Sequence, residues 1–144
     1  MDLELKTMID NAQCAVVIRG TDGRTATASG HTIAPLVSLT EKHADLFPGA
    51  QVADRIIGKG AASLMAYMGV KEAYGYIMSE SGLAMLQRYG ISASWGELVD
   101  VIYNNAGTDM CPLEKTVLNI PAENLDACAA AVLEFARSIP EHLK

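Results

Sequence analysis

Two glycines, Gly69 and Gly90, divide the middle of the chain into helix-then-strand units, and that alternation limits the folds open to it. Ahead of Gly69, the residues Val52, Ile56, Ile57, Ala61, Leu64, Met65 and Met68 recur at helical spacing, which predicts a helix over 51–68. A glycine at its end supplies the left-handed residue on which helices commonly stop. Residues 70–78 then read as a strand, with Tyr74, Tyr76 and Ile77 giving β character. Residues 79–89 read as a helix stopped by Gly90, and 91–95 as a short strand. A further helix is expected over 97–103, followed by an irregular loop over 104–110.

The flanking segments fit the same scheme. Residues 2–12 carry a helical stripe, and the β-prone run 14–18 leads into Thr21-Asp22-Gly23, a hairpin turn signal. The strict alternation of 24–29 reads as the return strand. A short helix over 33–46 has Pro35 in its first turn, with Pro48-Gly49 beyond its end. Thr116-Val117-Leu118 suggests one more short strand within 116–120. A closing helix over 121–139 starts at Pro121 and turns Leu125, Cys128, Ala129, Val132, Leu133 and Ala136 to one side. A hairpin followed by alternating helices and strands predicts an α/β fold, a three-layer α/β/α sandwich with a mixed sheet. One domain over 1–144 is expected, with its core in about 10–120.

Half of the 144 residues are apolar, enough to supply a sizeable core. The formal net charge is −6 and no three basic residues are consecutive, which argues against a nucleic-acid partner. No stretch approaches the ~20 apolar residues of a membrane span. The acidic start, Met1-Asp2-Leu3-Glu4, does not resemble a secretory signal. Three widely spaced cysteines fit reduced thiols, so a cytoplasmic location is expected.

The histidines at 31, 43 and 142 and the cysteines at 14, 111 and 128 show no metal-ligand spacing. No metal or cofactor is therefore expected. His31 is a candidate to line a cleft at a strand-to-helix turn. The segment Gly58-Lys59-Gly60 fails the phosphate-loop pattern, because Ala53 and Gly60 stand where Gly and Ser or Thr are needed. Its glycines, read as lying inside a helix, each cost roughly 1 kcal/mol against alanine. Close packing of another element offsets that cost, or the backbone approaches an anionic ligand beside Lys59. Ser79-Glu80 begins a helix after a strand, where Ser79 caps the helix or the pair meets a ligand. Cys111-Pro112-x-Glu114 is a helix-start pattern. Either Cys111 is a nucleophile activated by the helix field and Lys115, with Glu114 as acid/base, or Cys111 packs a loop corner while Glu114 closes a cap.

Together, Pro35-Leu36, Val52-x-Asp54-x-x-x-Gly58-Lys59-x-Ala61-Ala62, Ser79-Glu80 and Cys111-Pro112-x-Glu114 resemble a small prokaryotic family known as domain of unknown function 1893. The element order resembles the cytidine-deaminase-like fold. That resemblance implies a bacterial source, a cleft at the strand ends, and self-association. Deaminases place H-x-E and P-C-x-x-C at two helix starts to hold zinc. Here those starts read Gly58-Lys59-Gly60-Ala61-Ala62 and Ser79-Glu80-Ser81-Gly82, so the zinc-water chemistry is not expected.

Three functions follow as expectations. One is a small anionic or nucleotide-like ligand site built from Asp54, Gly58, Lys59, Ser79 and Glu80, with a Cys111/Glu114-dependent activity at its rim. The second is a ligand sensor without catalysis. The third is an oligomer-forming structural or interaction protein whose polar residues only cap helices.

Overall fold

The computed structural model describes residues Met1–Lys144. Helix α1 (Leu3–Asp10) is capped by Asp2, whose carboxylate accepts the Glu4 N–H at 2.9 Å. The hairpin of β1 (Val16–Arg19) and β2 (Thr25–Ala28) turns through Gly23, at φ +88°. Helix α2 (Ala34–Lys42) leads through a 3-10 turn into β3 (Gln51–Ile57), followed by α3 (Lys59–Tyr67). Then come β4 (Glu72–Ser79), α4 (Glu80–Arg88), β5 (Ser92–Val99), α5 (Pro112–Leu118) and α6 (Leu125–Ser138).

The five strands form one mixed sheet in the order β2-β1-β3-β4-β5. β1 runs antiparallel to both β2 and β3, whereas β3, β4 and β5 are mutually parallel. One face packs on helices α2 to α6, in a core containing Val16, Ile18, Val52, Ile57, Ala73 and Met78 from the sheet. The other face is covered by α1 alone, through Leu5 and Ile9 on Val17, Ala53 and Tyr74. This is the expected three-layer α/β/α sandwich.

Four local expectations are corrected. Residues 51–57 are a central strand and not the first half of a helix over 51–68. Val52, Ile56 and Ile57 mimic a helical stripe, but this β-branched segment is paired on both sides, by β1 and by β4. Its inward residues Val52 and Ile57 differ by an odd number, so the in-out alternation slips once between them. The segment 97–103 is not helical either: parallel pairing to β4 carries β5 on to Val99. Thr116-Val117-Leu118 belongs to α5, because the helix start at Pro112 overrides the β preference of two branched residues. The closing helix begins at Leu125, with the Asn124 side chain accepting the Ala127 N–H at 3.3 Å, so Pro121 lies before the helix.

A polar clamp holds α1 on its face of the sheet. The buried Tyr74 hydroxyl donates to Asp10 at 2.5 Å, and Lys6 pairs with the same carboxylate. These bonds, that of Lys6 first, hold the Asp10 carboxyl below its usual range. Burial and the Asp10 contact push Tyr74 up to about 12. Tyr74→Phe is expected to destabilise the protein by about 1–2 kcal/mol at pH 7, measured by urea unfolding. Because the folded pKa of Asp10 is depressed, its contribution is full above pH ~4 and is lost as the pH falls through the folded value, so the gap between variant and wild type should narrow in acid.

Candidate functional site

The sheet delivers three parallel strand ends, β3, β4 and β5, to one side of the molecule, the position where ligands bind in open α/β sheets. At β3 the chain passes through Gly58 directly into α3, so the free amides of that helix face the strand ends. Glu114, from the first turn of α5, lies across them. Its carboxylate accepts the Lys59 N–H at 2.7 Å and the Gly60 N–H at 3.0 Å, and the residue is only 7% exposed. A carboxylate at a helix N-terminus meets both free donors and a favourable dipole.

This contact explains both glycines. A Cβ on Gly58 would fall inside the Glu114 carboxylate, and one on Gly60 would lie 2.7 Å from Leu113 Cδ2. They open and begin α3 and are not interior to it, so the backbone approaches a carboxylate that the chain itself supplies. Lys59 points the other way. Its ammonium donates to the Ile120 carbonyl at 2.6 Å, with the Leu118 carbonyl at 3.5 Å, at the carbonyl-rich end of α5.

The other predicted residues are also tied to nearby backbone or lie apart. Ser79 is fully buried and caps α4 by accepting the Gly82 N–H at 3.0 Å, with the Ser81 hydroxyl at 3.1 Å. Gly82 is itself confined, since a Cβ there would meet the Ile57 carbonyl at 2.7 Å. Glu80 is exposed in the first turn of α4. Cys111 is half-buried at the start of α5, where its carbonyl accepts the Lys115 N–H at 3.0 Å. The Lys115 ammonium pairs with Asp109. His31 is exposed, and no group of three or more His, Cys, Asp or Glu side chains is placed to hold a metal ion.

A small cavity of about 120 Å³ lies beside the latch, lined by Lys59, Ser81, Glu114 and Leu118. Its opposite wall, Asp100, Val101, Ile102 and Met110, comes from the segment after β5. Asp100 was not singled out from the sequence, where it fell inside an expected helix; the true end of β5 would have pointed to it. Asp54 and Cys111 do not line this cavity. A larger dent of about 420 Å³ lies at the opposite, N-terminal ends of β3 and β4, between Arg19, Gly49 and Lys71.

Asp54 sits where the alternation of β3 slips. Burial pushes its carboxyl up to about 7 against the pull of the Ile56 and Arg55 N–H groups, and its charge, after burial, also raises the neighbouring Cys14 thiol. The folded chain thus holds this proton more tightly than the unfolded chain. The stability so contributed is full below pH ~4 and is lost as the pH rises through about 7. Asp54→Asn is expected to stabilise the protein at pH 8 by roughly 1–3 kcal/mol and to change it little at pH 4, read from urea midpoints at both pH values.

The architecture and the site together define an α/β sandwich whose central helix start is latched by an internal carboxylate. The chain belongs to the family described as a domain of unknown function (DUF1893), whose model matches residues 4–134. The crystal structure of a DUF1893 family protein from Thermotoga maritima is similar, with a TM-score of 0.80 at 23% identity, over 94% of this chain and 92% of that one. At that identity the likeness shows the fold alone. No curated protein matches the chain.

A double-mutant cycle tests the latch. Glu114→Ala should cost about 2–4 kcal/mol, because two buried N–H groups lose a charged acceptor. Gly58→Ala should cost a similar amount alone and little once Glu114 is gone, since its backbone (φ −102°) suits alanine. A coupling energy above about 1 kcal/mol is the expected outcome.

Proposed function

We propose that this chain is a non-catalytic interaction module on a cytidine-deaminase-like scaffold. One observation carries the reading: the helix start that the resemblance assigns to the deaminase zinc signature holds the chain's own Glu114 carboxylate instead. The strand order β2-β1-β3-β4-β5, with its last three strands parallel, supports the scaffold. Lys59 and Ser79 are likewise committed to helix ends. Lys115, the base nearest in sequence to Cys111, pairs with Asp109.

Size argues in the same direction. Pockets for drug-sized ligands and cofactors measure about 300–1,000 Å³ and are lined mostly by apolar side chains, so the 120 Å³ cavity is too small for a nucleotide, while the 420 Å³ dent at the other strand ends has no hydrophobic residue in its lining. The position of that cavity, at the carboxyl ends of parallel strands, favours a second reading, a ligand of only a few heavy atoms beside Lys59 and Ser81. A thermal-shift series with nucleosides, nucleotides, phosphate and acetate separates the two. The module reading expects Tm changes below about 1 °C throughout. A rise of several degrees with a nucleotide would overturn it, because a ligand at 100 times its Kd adds about 2.7 kcal/mol to the folded state. A rise with acetate or phosphate alone would select the second reading.

A further inference from the structure

The sheet has two edges, and they are built differently. β2 is four residues long, and Ala26 and Ala28 tuck into the core. β5 is eight residues long, contains no proline or lysine, and leaves five of its residues exposed. Trp95 is 39% and Leu98 38% exposed, and Tyr76 on the neighbouring strand is 42% exposed. β5 pairs only with β4, so its outer backbone donors and acceptors have no strand partner. Proteins ordinarily blunt such an edge with charge, proline, a bulge or a covering element, since it is a template for another strand.

The geometry points to a second copy of this chain as the partner, paired β5 to β5 across a two-fold axis into one ten-stranded sheet. An unpaired backbone edge selects an extended strand as its occupant. Two copies meeting across a two-fold axis present the same patch to each other, so the patch must carry both charges or neither. This strip has one acid, Glu97, and at its flank one base, Arg55, whose guanidinium lies 6.0 Å from the Tyr76 ring. A stable interface buries about 800 Å² per partner. One strand edge alone supplies less, and the exposed Trp95, Leu98 and Tyr76 side chains add apolar area beside it. This names the partner of the module proposed above and rests on that reading.

Trp95 is the sole tryptophan, so the wild-type chain reports on its own edge. Light scattering on the eluting protein at about 100 µM should give twice the 15.3 kDa chain mass. Dilution towards 0.1 µM should shift Trp95 emission to the red as the edge is freed. Trp95→Lys with Leu98→Lys should weaken association at least tenfold, with an unchanged far-UV spectrum showing that it folds. Thr25→Lys on the opposite edge should have no effect. A monomer at 100 µM, a concentration-independent emission, or a dimer that survives the β5 substitutions would overturn the pairing. Those outcomes leave the ligand screen untouched, so failure of the pairing and failure of the module reading are told apart.

Discussion

The arrangement around the strand ends depends on a reciprocal exchange of charge between two helices. Glu114, carried by α5, sits on the amide end of α3, while Lys59, the first residue of α3, reaches the carbonyl end of α5. Each helix therefore supplies the counter-charge for the other's dipole. Leu113 and Val117 bury the apolar side of α5 between these two anchors, so a helix of seven residues, too short to persist alone, is held firmly. The position of α5 in turn fixes one wall of the small cavity.

That exchange also decides what Gly58 and Gly60 are for. In the sequence they read as a cost offset either by close packing of another element or by an anionic ligand beside Lys59, and α5 meets the first with Leu113 and supplies a carboxylate as well. What the sequence leaves out is that the guest comes from 54 to 56 residues further along the same chain. Local patterns carry no record of such a contact. The same blindness explains β3: Val52, Ile56 and Ile57 fit a helical stripe, and only pairing on both sides makes them a strand.

Other parts were legible because their causes are local. The Asp22-Gly23 turn, the Gly69 and Gly90 stops and the Ser79 cap depend on backbone conformation or on a partner within three residues. Those punctuation marks, more than the apolar periodicities, made the layered fold readable. The extent of β5 was not, because its later residues (Gly96, Glu97) have little strand preference and gain their conformation from β4. The Asp100 wall of the cavity was hidden for the same reason, since it is placed by where that strand ends, whereas Lys59 and Glu114 on its other wall are among the residues that the sequence singles out.

The unequal covering of the sheet also bears on how the molecule breathes. On one face five helices share a core of 26 buried residues, while on the other α1 rests on a separate cluster of six. The smaller cluster has far less burial to lose, so α1 can detach as a sub-global opening while the larger core stays intact. The freed surface would be Val17, Ala53 and Tyr74, on three adjacent strands at the centre of the sheet. Amide protons of α1 would then exchange with solvent well before those of α3 and α6, and the chain would behave as two units of different stability, joined by the Tyr74–Asp10 bond together with the Arg19 pairs to Asp2 and Glu4.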